Sequence, residues 1–176
     1  MDYYKFFMKG ALELAKKTLS RGEFPVGCVV VYENRIILTG CRSGTVENSG
    51  NEVDHAEMIA LRKLAAIKQD IDRKKVVIFS TLEPCLMCFG AILLSGVGGL
   101  VYAYEDVMGG ATMCDLSLLA PLYRNNDLFI IPNILRTESL QLFKTFFSNP
   151  ANLYLKGSLL AKYSLSQPEP ESANST

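Results

Sequence analysis

The stretch VVIFSTLEPCLMCFGAILLSGVGGLVYAY, residues 76–104, carries the reading of the fold. Its first segment, Val76 to Ser80, is a continuous apolar run of strand length, which marks a strand covered on both faces and central in its sheet. Cys85 to Ser95 suits a helix, with Pro84 at its start, where a missing N–H costs nothing. Gly96-Val97-Gly98-Gly99 breaks that helix, and Leu100 to Tyr104 reads as another buried strand. No residue from Pro84 to Tyr104 is charged, a length that raises the question of a membrane helix. The glycine break and the two cysteines divide the run into a buried helix, a turn and a buried strand, so no membrane span is expected.

Outward from this unit, residues 2–20 place Phe6, Leu12, Leu14 and Leu19 at helical spacing among lysines, an amphipathic first helix closed by Gly22. Phe24 to Tyr32 reads as a strand, Glu33-Asn34-Arg35 as a tight turn, and Ile36 to Cys41 as the antiparallel return. Ser43 to Asp54 is a polar, Gly- and Asn-rich loop leading into a helix over 55–68. Beyond residue 104, a loop and short helix reach Leu122, Asp127 to Ile131 forms a fifth strand, and helical patterns span Glu138–Phe147 and Asn152–Tyr163. Helices alternating with apolar strands predict an α/β sandwich, with helices on both faces of one mixed sheet. One domain over residues 1–163 is expected, followed by a tail over 164–176, rich in Pro, Ser and Glu and therefore disordered.

Of the 176 residues, 49% are hydrophobic, ordinary for one globular domain. The 18 basic and 18 acidic residues cancel to a formal net charge of zero. Nucleic-acid-binding chains usually carry a basic footprint, so this balance leans toward a small-molecule substrate. Arg62, Lys63, Lys68, Arg73, Lys74 and Lys75 form a modest basic stretch, interrupted by Asp70 and Asp72, that reads as a solvated helix end. An odd number of cysteines, five, and a start Met1-Asp2-Tyr3-Tyr4-Lys5 without a long apolar segment predict a reducing, cytoplasmic setting.

The only histidine, His55, lies two residues before Glu57 and upstream of Cys85 and Cys88. Three borderline or soft ligands leave a fourth tetrahedral position open to water, the pattern of a catalytic zinc. At i and i+2 of a helix, His55 and Glu57 point about 200° apart, which makes Glu57 a neighbouring base and not a ligand. Cys85 and Cys88, at i and i+3, share one side of a helical first turn, where a helix N-terminus favours thiolates. Two other readings stand beside this one. The C-x-x-C could be a redox pair, or a structural zinc could recruit Cys28, Cys41 or Cys114, with Cys28 itself reading as a core thiol.

Glu23-Phe24-Pro25-Val26-Gly27, His55-Ala56-Glu57, Thr81-Leu82-Glu83-Pro84-Cys85-Leu86-Met87-Cys88 and Gly90-Ala91 resemble the cytidine/deoxycytidylate deaminase superfamily, whose signature is H-x-E…P-C-x-x-C. Within it, the chain is most similar to the branch of tRNA adenosine deaminases and guanine or cytosine deaminases. The resemblance covers about residues 22–111. It implies a three-layer α/β/α fold around a five-stranded mixed sheet, a bound Zn2+ and a homodimer. Backbone groups near Ala56 and Cys85 would contact the ring or the reacting oxygen, and Phe24 lies in a matched segment. Three departures from the family pattern stand out. Arg42 replaces an asparagine that follows the second strand and contacts substrate, in a loop about two residues longer, with Asn48 or Asn51 as stand-ins. Ser148-Asn149-Pro150-Ala151-Asn152 follows Phe146-Phe147 where the tRNA enzymes carry a basic helix. Ser95-Gly96-Val97 lacks the family's basic residue in the turn after the cysteine helix.

Resemblance and ligand chemistry together imply hydrolysis: zinc on His55, Cys85 and Cys88 activates water, Glu57 carries its proton to a ring nitrogen, and ammonia leaves. The expected substrate is a free nucleobase, nucleoside or nucleotide. Arg42 then pairs with a phosphate or carboxylate on it, or is a solvated loop residue. The alternatives are adenosine-to-inosine deamination of tRNA and a catalytically silent binding module. Tyr102, Tyr104 and Tyr123 are either base-stacking platforms or core and interface residues.

Overall fold

The computed structural model describes residues 2–46 and 51–168. Along them run α1 (Asp2–Leu19), β1 (Gly27–Tyr32), β2 (Arg35–Cys41), α2 (Ala56–Ala65), β3 (Val77–Leu82), α3 (Leu86–Ser95), β4 (Gly99–Tyr104), a short α4 (Pro121–Arg124), β5 (Phe129–Ile131), α5 (Arg136–Ser148) and α6 (Leu159–Ser166). The strands form one mixed sheet in the order β2-β1-β3-β4-β5. β1 pairs antiparallel with β2 and β3, whereas β3–β4 and β4–β5 are parallel. Every residue of β3 and β4 is buried, as the continuous apolar run predicts for strands with helices on both faces. The β1–β2 turn uses Glu33 and Asn34 at φ 47° and 61°, the two left-handed residues a tight hairpin requires.

Side chains alternate across a strand, and this period-2 pattern splits the core in two. Cys28, Val30, Ile78 and Leu100 pack against Ala60 and Leu64 of α2 and Phe89 and Ile92 of α3. Val29, Val31, Phe79 and Val101 pack against Phe7, Met8, Ala11 and Leu12 of α1. α5 serves both layers, sending Leu142 to the α1 side and Phe143 and Phe146 to the other. The result is the three-layer α/β/α sandwich. Truncating a core ring such as Phe79 to Ala should cost roughly 3–5 kcal/mol.

Several boundaries differ from the sequence reading. Phe6 is 68% exposed, because the buried face of α1 runs through Phe7, Met8, Ala11, Leu12 and Ala15, one position out of phase. β1 starts at Gly27 and not Phe24, since Pro25 has no N–H and the Val26 N–H turns back to the Phe24 carbonyl at 2.8 Å. The expected helix over 152–163 forms only from Leu159, capped by Ser158. Leu155 and Gly157 sit at positive φ and hold the preceding residues in turns. α6 continues to Ser166, past the expected boundary at 163, because Ser164 is fully buried and bonded to Tyr104 Oη at 3.0 Å. Residues 169–176 of the expected tail lie outside the described residues. Among the described residues no helix is long and apolar enough to cross a membrane.

Candidate active site

Two helices begin at one spot. His55 caps α2 and Cys85 caps α3, both with extended backbone, at ψ 155° and 171°. Cys88, one turn into α3, brings its sulfur back to the same point. The Sγ atoms of Cys85 and Cys88 each lie 3.5 Å from His55 Nδ1, and the three ligand atoms fall within 4.8 Å of one another. Tetrahedral zinc, with Zn–N about 2.0–2.1 Å and Zn–S about 2.3 Å, demands an N···S separation of roughly 3.5 Å. The donor set therefore fits zinc in both chemistry and spacing. Cys28 is buried elsewhere in the core and Cys114 is exposed, and neither joins the cluster.

The two sulfurs are unequal acids. Hydrogen bonding from Cys88, then from His55, holds the Cys85 thiol down to about 4. Its bond with Cys85, together with burial, pushes Cys88 up. Both must ionise to bind a metal, so metal uptake here releases protons.

Glu57 faces the same cluster, with Oε2 3.6 Å from Cys88 Sγ. The two side chains are not the expected 200° apart, because His55 sits outside the helix with extended backbone and the helical step of about 100° does not apply between them. Glu57 is buried on the α2 side of the sheet, where Ser80 of β3 donates a hydrogen bond to Oε1 at 2.5 Å. Burial pushes the Glu57 carboxyl up, and the Ser80 bond offsets part of that rise. A carboxyl raised in this way holds a proton more readily, which suits a group that takes one and returns it. Ser80 drew no notice in the sequence, since a serine in an apolar strand carries no motif. The alternation that points Ile78 at α2 also points Ser80 there.

The loop before His55 is held from two directions. Asn51 Oδ1 accepts from the Val53 and Asp54 N–H groups at 3.2 and 3.1 Å, a local turn that delivers the chain to His55. Arg42, whose side chain is only 2% exposed, donates through Nη1 to the carbonyls of Ser43, Asn51 and Asp54. Its Nη2 donates to Glu52 Oε2 at 3.1 Å and to Tyr154 Oη at 3.3 Å. Arg42 is therefore not a solvated loop residue. A Cβ on Gly40 would lie 1.9 Å from the Ala56 carbonyl, so β2 and the first turn of α2 touch backbone to backbone.

A cavity of about 220 Å³ opens above the cluster, and His55, Ala56, Glu57 and Cys85 line one side of it. Phe24 and Arg42 line it as well. Asn48 lies outside the described residues. Facing the cluster are Tyr154 and Leu155 from the segment between α5 and α6, Leu160 from the first turn of α6, and Asp106, Met108 and Gly109 from the loop after β4. Glu83 holds that loop, accepting from the N–H and Oγ1 of Thr112 and from the Asp106 N–H at 3.1, 2.6 and 3.1 Å. Tyr104 is fully buried against Phe143 and Tyr163, and Tyr102 bonds Thr112. Neither lines the cavity, and nor does Tyr123. The tyrosine at the cavity is Tyr154, which the sequence placed in a featureless helix.

A family model described as "Cytidine and deoxycytidylate deaminase zinc-binding region" matches residues 1–104. The tRNA-specific adenosine deaminase of Haemophilus influenzae is 38% identical over 147 residues, covering 83% of this chain and 84% of its own. The enzyme of the same name from Streptococcus pyogenes is 30% identical over 147 residues, covering 84% and 91%. A solved tRNA:A34 deaminase superposes with a TM-score of 0.63 at 25% identity, covering 78% of this chain and 98% of that one. Guanine deaminase from Nitrosomonas europaea shares the fold, with a TM-score of 0.56 at 21% identity over 79% and 81% of the two chains. With this match over more than half its length, the chain belongs to the cytidine and deoxycytidylate deaminase family and is a zinc-dependent hydrolytic deaminase.

Proposed function

We propose that the protein deaminates a free nucleobase, nucleoside or nucleotide, with His55, Cys85 and Cys88 as zinc ligands and Glu57 as the catalytic acid–base. The observation that carries the small-molecule reading is the small cavity over the cluster, open on one side and walled by Tyr154, Leu155 and Leu160. Its volume of about 220 Å³ lies below the roughly 300–1,000 Å³ of pockets that take drug-sized ligands. Zinc, when bound, supplies Lewis-acid activation of the attacking water. Glu57 Oε2 takes one proton from the water and passes it to the ring nitrogen as the C–O bond forms; it then takes the second from the new hydroxyl and passes it to the amine, which leaves as ammonia when the C–N bond breaks. Ser80 keeps Oε1 occupied, which leaves Oε2 as the working oxygen.

A second reading rests on the relatives. Those compared above by sequence are named tRNA-specific adenosine deaminases, which favours adenosine in tRNA as the substrate. Against it, the basic residues near α2 make local bonds: Arg62 to Asp54, Lys63 to the Thr39 carbonyl and Arg73 to the Leu64 carbonyl. We further propose a homodimer through the apolar groove lined by Leu86, Phe89, Leu93, Leu116, Leu119 and Tyr123, which light scattering would test.

The deciding experiment is ammonia release by zinc-loaded protein from bases, nucleosides, nucleotides and a tRNA anticodon stem-loop, with Glu57→Ala as the blank. Turnover of a small ring, absent in the variant, supports the proposal. Turnover of the stem-loop alone would overturn it in favour of the tRNA reading.

A further inference from the structure

Arg42 holds the position where the family resemblance places a substrate-contacting asparagine, and its guanidinium is already spent. Nη1 has two hydrogens for three carbonyl acceptors, and Nη2 has two for Glu52 Oε2 and Tyr154 Oη. The three side chains form a closed ring, because Tyr154 Oη also donates to Glu52 Oε2 at 2.8 Å. The Tyr154 ring is fixed on its other edges: it meets Phe24 edge-on at 5.3 Å and carries the Arg42 guanidinium 5.6 Å from its centroid. Thus two elements separated by 102 positions close one side of the cavity.

Charge at this site runs against phosphate. Glu52, Glu57, Glu83 and Asp106 line the cavity, and Arg42 is the one guanidinium or ammonium among the described lining residues. Its charge faces Glu52, whose side chain is 63% exposed and reaches the cavity mouth. A phosphate entering there meets the exposed Glu52 carboxylate and an arginine whose terminal donors are occupied. An uncharged base or ribose meets neither penalty, and the Tyr154 ring adds apolar surface to the lining.

From this we infer that the Arg42–Glu52–Tyr154 ring is a specificity device that restricts the site to unphosphorylated substrates, free bases or nucleosides, and rejects their 5′-monophosphates. The inference rests on the proposed small-molecule activity. Glu52 and Tyr154 act here as specificity residues, and Arg42 acts by positioning both them and the loop that ends at His55.

The test compares kcat/KM for a nucleoside and its 5′-monophosphate, using the zinc-loaded full chain, Glu52→Gln and Tyr154→Phe. The wild type should prefer the nucleoside at least tenfold. Glu52→Gln, which removes the rim charge and loosens Arg42, should narrow that ratio at least threefold. Tyr154→Phe, which keeps the ring but unties the wall, should narrow it in the same direction. A purely structural role would lower both substrates together and leave the ratio fixed in both variants, which overturns the inference. Equal or better use of the monophosphate by the wild type overturns it as well, while leaving the deaminase reading intact. Absence of turnover on any base, nucleoside or nucleotide, with turnover of the stem-loop, removes the small-molecule reading itself and the inference with it.

Discussion

The two sides of the cavity are built differently. On the zinc-binding side, His55 and Glu57 are two positions apart, Cys85 and Cys88 are three apart, and each pair sits at a helix start. On the facing side, the polar contacts join Arg42 and Glu52 to Tyr154 across 112 and 102 positions. The first arrangement depends on short spacings and cap geometry, so it survives as a motif. The second depends on where a late segment of the chain returns, and it can change without disturbing the first. This contrast explains how reaction type and substrate choice can part company on one fold.

The largest effect should come from the zinc-binding side. Glu57→Gln keeps the shape and removes the base, so kcat should fall by roughly 10²–10⁴ while zinc content, read by elemental analysis, stays unchanged. Loss of zinc in this variant would move Glu57 into the ligand set. Next in size, Gly40→Ala forces a methyl into the Ala56 carbonyl. It should cost roughly 1–3 kcal/mol in urea unfolding and weaken zinc binding, because the start of α2 must shift. A stable variant with normal zinc affinity would show that the β2–α2 contact does not position His55.

Ser80→Ala should lower kcat about tenfold, roughly 1.4 kcal/mol of barrier, with zinc content unchanged. The Ser80 bond lowers the Glu57 carboxyl, so its loss raises that group further and shifts the acidic limb of the kcat profile to higher pH. An unmoved limb would deny Ser80 its positioning role. The smallest effect lies at the far end of the facing side, where Arg136 bridges Glu105, and Gln167 and Tyr163 bond the pair, tying α5 to α6. Burial raises the Glu105 carboxyl, but the Arg136 bonds and the Tyr163 hydroxyl outweigh it and hold it below its ordinary 4.5. A depressed carboxyl contributes stability above its unfolded value and loses it as pH falls through the folded one. Arg136→Met should therefore cost about 1 kcal/mol at pH 7, and the gap from wild type should close in acid melts below that range. A gap independent of pH would mean that packing of the arginine stem, and not its charge, sets the loss.

The same contrast governs what the sequence made legible. The run 76–104 read correctly as strand, helix and strand because burial on both faces leaves a continuous apolar signature. Cys85 and Cys88 were legible because their spacing is local, and His55 because it is the chain's single histidine. Phe6 was misplaced because α1 offers apolar residues at adjacent positions, and only packing against β1 and β3 selects the phase. Tyr154 was invisible because its partners lie more than a hundred positions away. Arg42 was noticed as a departure, but its role depends on carbonyls whose orientation no sequence pattern records.

The central claim is that a zinc site built from two helix starts hydrolyses the amine of a small ring. The most direct test strips zinc with a chelator and titrates it back while following ammonia release from the best free base or nucleoside. Activity should vanish on stripping and return fully at one zinc per chain, with no tRNA present. Undiminished turnover by the stripped protein, or recovery only on a tRNA stem-loop, would contradict the account.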